Sequence, residues 1–82
     1  MKHYVVIVDW ATQDDEGVDI VGVAHTLDEA KEMFQKRLVI ERDLAEEHEY
    51  EITEDCETIF EAGEMGYWRN DHIILYIEEV GQ

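Results

Sequence analysis

Thr26-Leu27-Asp28-Glu29-Ala30 decides the fold. It is a capping box: the Thr26 hydroxyl can accept from the backbone N–H of Glu29, and the Glu29 carboxylate can reach back to the N–H of Thr26. A helix therefore starts here. Downstream, Leu27, Ala30, Phe34, Leu38 and Ala45 recur at helical spacing, flanked by Met33 and Leu44, while Asp28 and Glu29 sit where the helix dipole favours negative charge. The helix is expected to run to about Glu47 and to lay its apolar stripe on one face of a sheet.

Working outward toward the N-terminus, Val18-Asp19-Ile20-Val21-Gly22-Val23-Ala24 has strand chemistry. Before it, His3 to Trp10 is β-branched and aromatic on both alternating faces, the pattern of an interior strand. The polar stretch Ala11 to Gly17 joins the two as an antiparallel hairpin, with Gly17 expected to take the positive φ of a loop. Toward the C-terminus the pattern is weaker. Tyr50-Glu51-Ile52-Thr53 alternates like a strand, yet Cys56, Ile59 and Phe60 also fit a short helix, so residues 50–62 stay open between strand and helix, with strand preferred for Glu57 to Ala62. Gly63-Glu64-Met65-Gly66 reads as a turn, and His72 to Val80 as a final, central strand. The expectation is an α+β fold in the order β-β-α-β-β, an antiparallel sheet with one long helix packed on one face, in a single domain over residues 1–82.

Composition narrows the partners. The 82 residues hold 22 Asp or Glu against 6 Lys or Arg, a formal net charge of −16, and 45% of them are hydrophobic, enough for one core. Nucleic-acid binders neutralise phosphates with Lys and Arg, so direct DNA, RNA or anionic-membrane binding is not expected. No apolar run approaches the 18 or so residues of a membrane helix. The start, Met1-Lys2-His3-Tyr4, leads into an apolar stretch containing Asp9 rather than into a signal peptide, and a single Cys56 forms no internal disulfide. A cytoplasmic location follows as the expectation.

The acids are unevenly spread. Asp43, Glu46, Glu47, Glu49, Glu51, Glu54, Asp55, Glu57, Glu61 and Glu64 form a block without a single Lys or Arg. If the segment is extended, Glu49, Glu51, Asp55, Glu57 and Glu61 share one side, spaced at about 6.8 Å per two residues, roughly half the charge density of one DNA strand. Imitating a duplex needs a second row, which the helix end (Asp43, Glu46, Glu47) or the hairpin loop (Asp14, Asp15, Glu16) can supply. The same acids also serve as a solvated face that keeps a small domain soluble. Against that stands the repulsion they impose on a compact body, which a cationic partner would relieve.

Other chemistry finds little footing. The loop Asp14-Asp15-Glu16-Gly17 is too short for a Ca²⁺ cage, and His3, His25, His48, His72 and Cys56 lack zinc-ligand spacing. No metal and no cofactor is expected. Neighbouring carboxylates should raise the Cys56 thiol, leaving it partly buried and inert, and no phosphate loop or nucleophile motif is present, so no catalytic residue is assigned and the chain is not expected to be an enzyme. Val39 and Ile40 extend beyond the apolar arc of the helix, either as a pairing contact or as tolerated surface exposure, and Tyr67 and Trp68, with Met65, lie in or beside a Gly-bounded turn, either as aromatic anchors for a partner or folded back over the core edge; Trp10 is expected to cap the core.

With Tyr4-Val5-Val6-Ile7-Val8-Asp9-Trp10-Ala11, then Gly22 to Ala30, Gly63 to Trp68 and Ile77-Glu78-Glu79-Val80, the chain resembles small acidic proteins of unassigned function carried by bacterial phages and conjugative elements. In size and charge it is similar to phage-encoded DNA-mimic inhibitors, the anti-restriction and anti-CRISPR proteins. The resemblance implies a non-enzymatic module that docks on a basic surface of a nucleic-acid-handling protein; it carries over no functional residue, and the contact residues expected, the block from Asp43 to Glu64 with Tyr67 and Trp68, follow from the charge pattern and the aromatic turn. The alternative is a structural or regulatory protein that homodimerises through a sheet edge or the helix surface, its charge serving solubility only.

Overall fold

The computed structural model describes residues 2–12, 14–64 and 71–81. Strands β1 (Lys2–Ala11) and β2 (Glu16–Ala24) form the expected hairpin; helix α1 (Leu27–Glu47) follows, then β3 (Glu51–Asp55), β4 (Ile59–Gly63) and β5 (His72–Gly81). The sheet is antiparallel with strand order β2-β1-β5-β4-β3, and α1 lies on one face, the α+β arrangement expected. The segment 50–62 resolves as two strands around a tight turn, in which the Cys56 N–H donates to the Ile59 carbonyl at 2.9 Å. Three strands thus follow the helix.

The Thr26 hydroxyl accepts from the Glu29 N–H at 3.1 Å and starts the helix where the sequence places it. Ala30, Phe34, Leu38 and Ala45 are buried, whereas Val39 and Ile40 are exposed at 63% and 51%. The stripe packs on Val6 and Val8 of β1, Ala24 of β2, Phe60 and Ala62 of β4, and Ile73 and Leu75 of β5. These strand positions alternate with the side chains of the opposite, helix-free face, as a period of two requires.

Gly17 departs from its expected role. It lies within β2 opposite Trp10, and a Cβ there would come within 2.7 Å of the indole. Its missing side chain makes room for Trp10 rather than for a left-handed turn. Trp10 packs against the core as a partly buried cap.

Candidate functional site

The acidic block begins on the helix. With the buried stripe at 30, 34, 38, 41 and 45, a rotation of 100° per residue places Asp43 diametrically outward, with Glu46 and Glu47 on either side of it; all three are exposed. The last turn of α1 holds no basic residue, so these carboxylates face the negative end of the helix dipole. The helix then closes in a Schellman motif: the Tyr50 N–H donates to the Ala45 carbonyl at 2.8 Å, and the Glu49 N–H to the Glu46 carbonyl at 3.1 Å. Glu49 takes φ 58°, the left-handed position that glycine usually fills. Two successive features of the segment, the helix end at Glu46 and Glu47 and the left-handed position at Glu49, therefore put a carboxylate where the backbone disfavours it.

Beyond Tyr50 the chain enters β3, an edge strand exposed at every residue. The single row expected of the odd-numbered acids does not form. The register slips between Ile52 and Glu54, so Thr53 is the extra residue of a bulge, and parity inverts across it. Asp55 pairs with Phe60 and so shares the helix face, whereas Glu51 and Glu54, paired with Gly63 and Glu61, point to the opposite one. Glu61 accepts there from the Thr53 hydroxyl. Glu57 sits in the turn after β3 and Glu49 before it, outside any strand.

Two of these acids are already occupied. Asp55 is held by both terminal nitrogens of Arg42 at 2.9 Å, a bidentate pair that rests on the ring of Phe60 and ties α1 to β3. Arg42 holds the Asp55 carboxyl below the usual carboxylate range. Lys31 reaches Glu57 at 3.1 Å and makes a second tie. Among the described residues, Asp43, Glu46, Glu47, Glu49, Glu51 and Glu54 face no Lys or Arg, and each described Lys or Arg already meets an acid: Lys2 with Glu79, Lys36 with Glu32 and Arg37 with Glu41 complete the pairs. Glu64 lies near Tyr50, whose hydroxyl is pushed up first by burial and then by the charges of Asp71 and Glu64. Tyr67 and Trp68, with Met65, lie outside the described residues.

Beside the free carboxylates of the helix end lies a cleft of about 220 Å³, lined among others by Trp10, Asp19, Arg37, Glu41, His48 and Tyr50. Glu41, only 3% exposed, is a site residue that the apolar pattern passes over. The signal was present as its position in the 30-34-38-41-45 period together with Arg37 one turn earlier, whose Nε donates to its carboxylate at 2.8 Å. His48 stacks on Tyr50 at 5.3 Å.

Cys56 corrects a second expectation. It is exposed rather than partly buried, and its thiol is held below the ordinary value, chiefly by hydrogen bonding from the backbone of Thr58 and then of Ile59, with Glu54 pushing weakly the other way. Close backbone donors outweigh a neighbouring charge in open water. Among the described residues no group of three His, Cys, Asp or Glu side chains converges to hold a metal ion, and no helix is long and apolar enough to cross a membrane. Compared with protein families, curated proteins and solved structures, the chain matches none.

Proposed function

We propose that this chain is a non-enzymatic acidic binding module that docks on a basic surface of a nucleic-acid-handling protein in the cytoplasm of a bacterial host, acting as a DNA-mimic inhibitor of the anti-restriction or anti-CRISPR kind from a mobile element. The observation that carries the reading is the run from Asp43 to Glu49. Glu46 and Glu47 oppose the helix dipole and Glu49 occupies a glycine position, so the fold gives up stability to keep carboxylates there. A charge kept only for solubility could sit anywhere on the surface without that cost. Steering then speeds the encounter, and carboxylates take the place of phosphates in a basic groove.

Asp55 and Glu57 enter this reading in a supporting role, because Arg42 and Lys31 engage them within the molecule. The contact set is Asp43, Glu46, Glu47 and Glu49 at the helix end, with Tyr67 and Trp68 proposed as its aromatic anchors; Glu51, Glu54 and Glu61 point to the opposite, helix-free face of the sheet and stand outside it. The test is inhibition of DNA binding by restriction and CRISPR effector enzymes, measured by fluorescence anisotropy from about 50 to 500 mM salt, over which the screening length shrinks from roughly 14 to roughly 4 Å. Inhibition should weaken steeply with salt and disappear when Asp43, Glu46, Glu47 and Glu49 are changed to Lys. Inhibition indifferent to salt and to those four changes would refute the reading.

A further inference from the structure

The helix-free face of the sheet is built from the strand residues that alternate with the core. Register places Ile20, Ile7, Tyr76 and Ile59 side by side across β2, β1, β5 and β4, one unbroken apolar row over four strands. Val23 and Val5 adjoin it on one side, and Val18 and Ile74 on the other. Ile20, Val18 and Val23 are 58%, 61% and 54% exposed, whereas Ile7 in the middle is 6% exposed, closed in by its neighbours in the row. The polar groups of this face lie around the row: Asp9 with His72 at 3.4 Å, Glu61 and Glu78, with Glu51 and Glu54 beyond on the β3 edge. An apolar centre within a polar rim is the anatomy of a protein interface.

We propose that a second copy of this chain covers that face, packing sheet on sheet about a two-fold axis parallel to the strands above the β1–β5 seam. That axis sets Ile20 over the partner copy's β4 and Ile7 over its β5, so the apolar row packs on itself. The alternative two-fold, across the strands, would set each β3 edge with Glu51 and Glu54 on its own copy. The chosen axis instead sends the two acidic edges to opposite ends, where bodies of −16 charge repel least. Three strands about 30 Å long and the five-residue β4, about 17 Å long, set about 4.8 Å apart, give a footprint of roughly 1,000 Å² over both copies, at the threshold for a specific interface. A cationic partner has no charge to meet on the row itself; its acids stand elsewhere. The inference is independent of the docking function proposed above and leaves that contact set free.

Sedimentation equilibrium decides it. In about 0.5 M NaCl, where screening reduces the repulsion between copies, the wild-type mass should rise from 9.7 kDa toward twice that value with increasing concentration, and dimerisation should weaken at low salt, the reverse of binding to a basic partner. Ile20→Lys and Ile59→Lys, each checked for fold by circular dichroism, should each weaken the dimer at least about 30-fold, as for an interface hot spot. A wild-type mass fixed at 9.7 kDa up to about 200 µM overturns the proposal, since weaker association lies beyond a specific interface. So does a dimer lost in Ile20→Lys but intact in Ile59→Lys, which indicates pairing along the β2 edge. A dimer lost only in Val39→Lys, which indicates the helix surface, overturns it as well.

Discussion

Glu49 is the residue at which fold and charge conflict most directly. Holding a non-glycine residue in the left-handed region costs about 1 kcal/mol, so Glu49→Gly should stabilise the protein by about that amount and raise Tm by about 4–8 °C in thermal denaturation. If the acid is kept for a partner, the same change weakens binding. Glu41 presents the opposite case: it is buried, and Arg37 alone neutralises it among the described cations. Arg37→Met strands that carboxylate and should cost about 2–3 kcal/mol in urea unfolding, whereas replacing both residues with Met and Leu should recover most of it. Asp55 gives a pH signature. Its folded carboxyl is lowered by Arg42, so the folded state binds fewer protons than the unfolded one near pH 4, and the pair's contribution is complete above the unfolded value and lost as pH falls through the folded one. The stability difference between wild type and Asp55→Asn should accordingly be present at pH 6 and vanish toward pH 2; a difference independent of pH would show that the ion pair contributes nothing.

At the scale of elements, α1 was legible because its signals agree: a cap at Thr26, a stripe of matching period, and a polar outer face. The hairpin of β1 and β2 and the central β5 were legible for the same reason, since apolar runs bounded by turn residues leave few alternatives. The segment 50–62 was not. All five residues of β3 are exposed, so burial imposes no alternation on it, and the bulge at Thr53 inverts the parity on which any row of charges would have to rest. Hence the acids after Glu49, neighbours in sequence, do not form the line expected of them. Glu41 escaped because a charged residue inside an apolar stripe looks like a gap until Arg37 is seen beside it. The helix end offers its own prediction. Glu46→Lys and Glu47→Lys should each stabilise the fold by about 0.3–1 kcal/mol through the dipole, most clearly at low salt, while reducing affinity for a basic partner. Loss of stability in both variants would contradict the account of why those acids are costly.

For the molecule as a whole, repulsion is the dominant electrostatic term, because each described Lys and Arg is already matched and 22 acids stand against 6 basic residues. Added NaCl should therefore raise Tm, in contrast to its effect on a fold held by surface ion pairs. The arrangement of the sheet has a kinetic consequence too. Its middle pair, β1 with β5, joins Lys2 to Gly81 and Ala11 to His72, positions separated by most of the chain. Neither hairpin nor helix has a complete core without that pair. On a ribosome, the early hairpin and α1 must wait, solvent-exposed and strongly anionic, until β5 has been synthesised and has slotted between β1 and β4. Non-local closure of this kind is slow, milliseconds or longer, and during the delay the charge that burdens the finished fold keeps nascent copies apart.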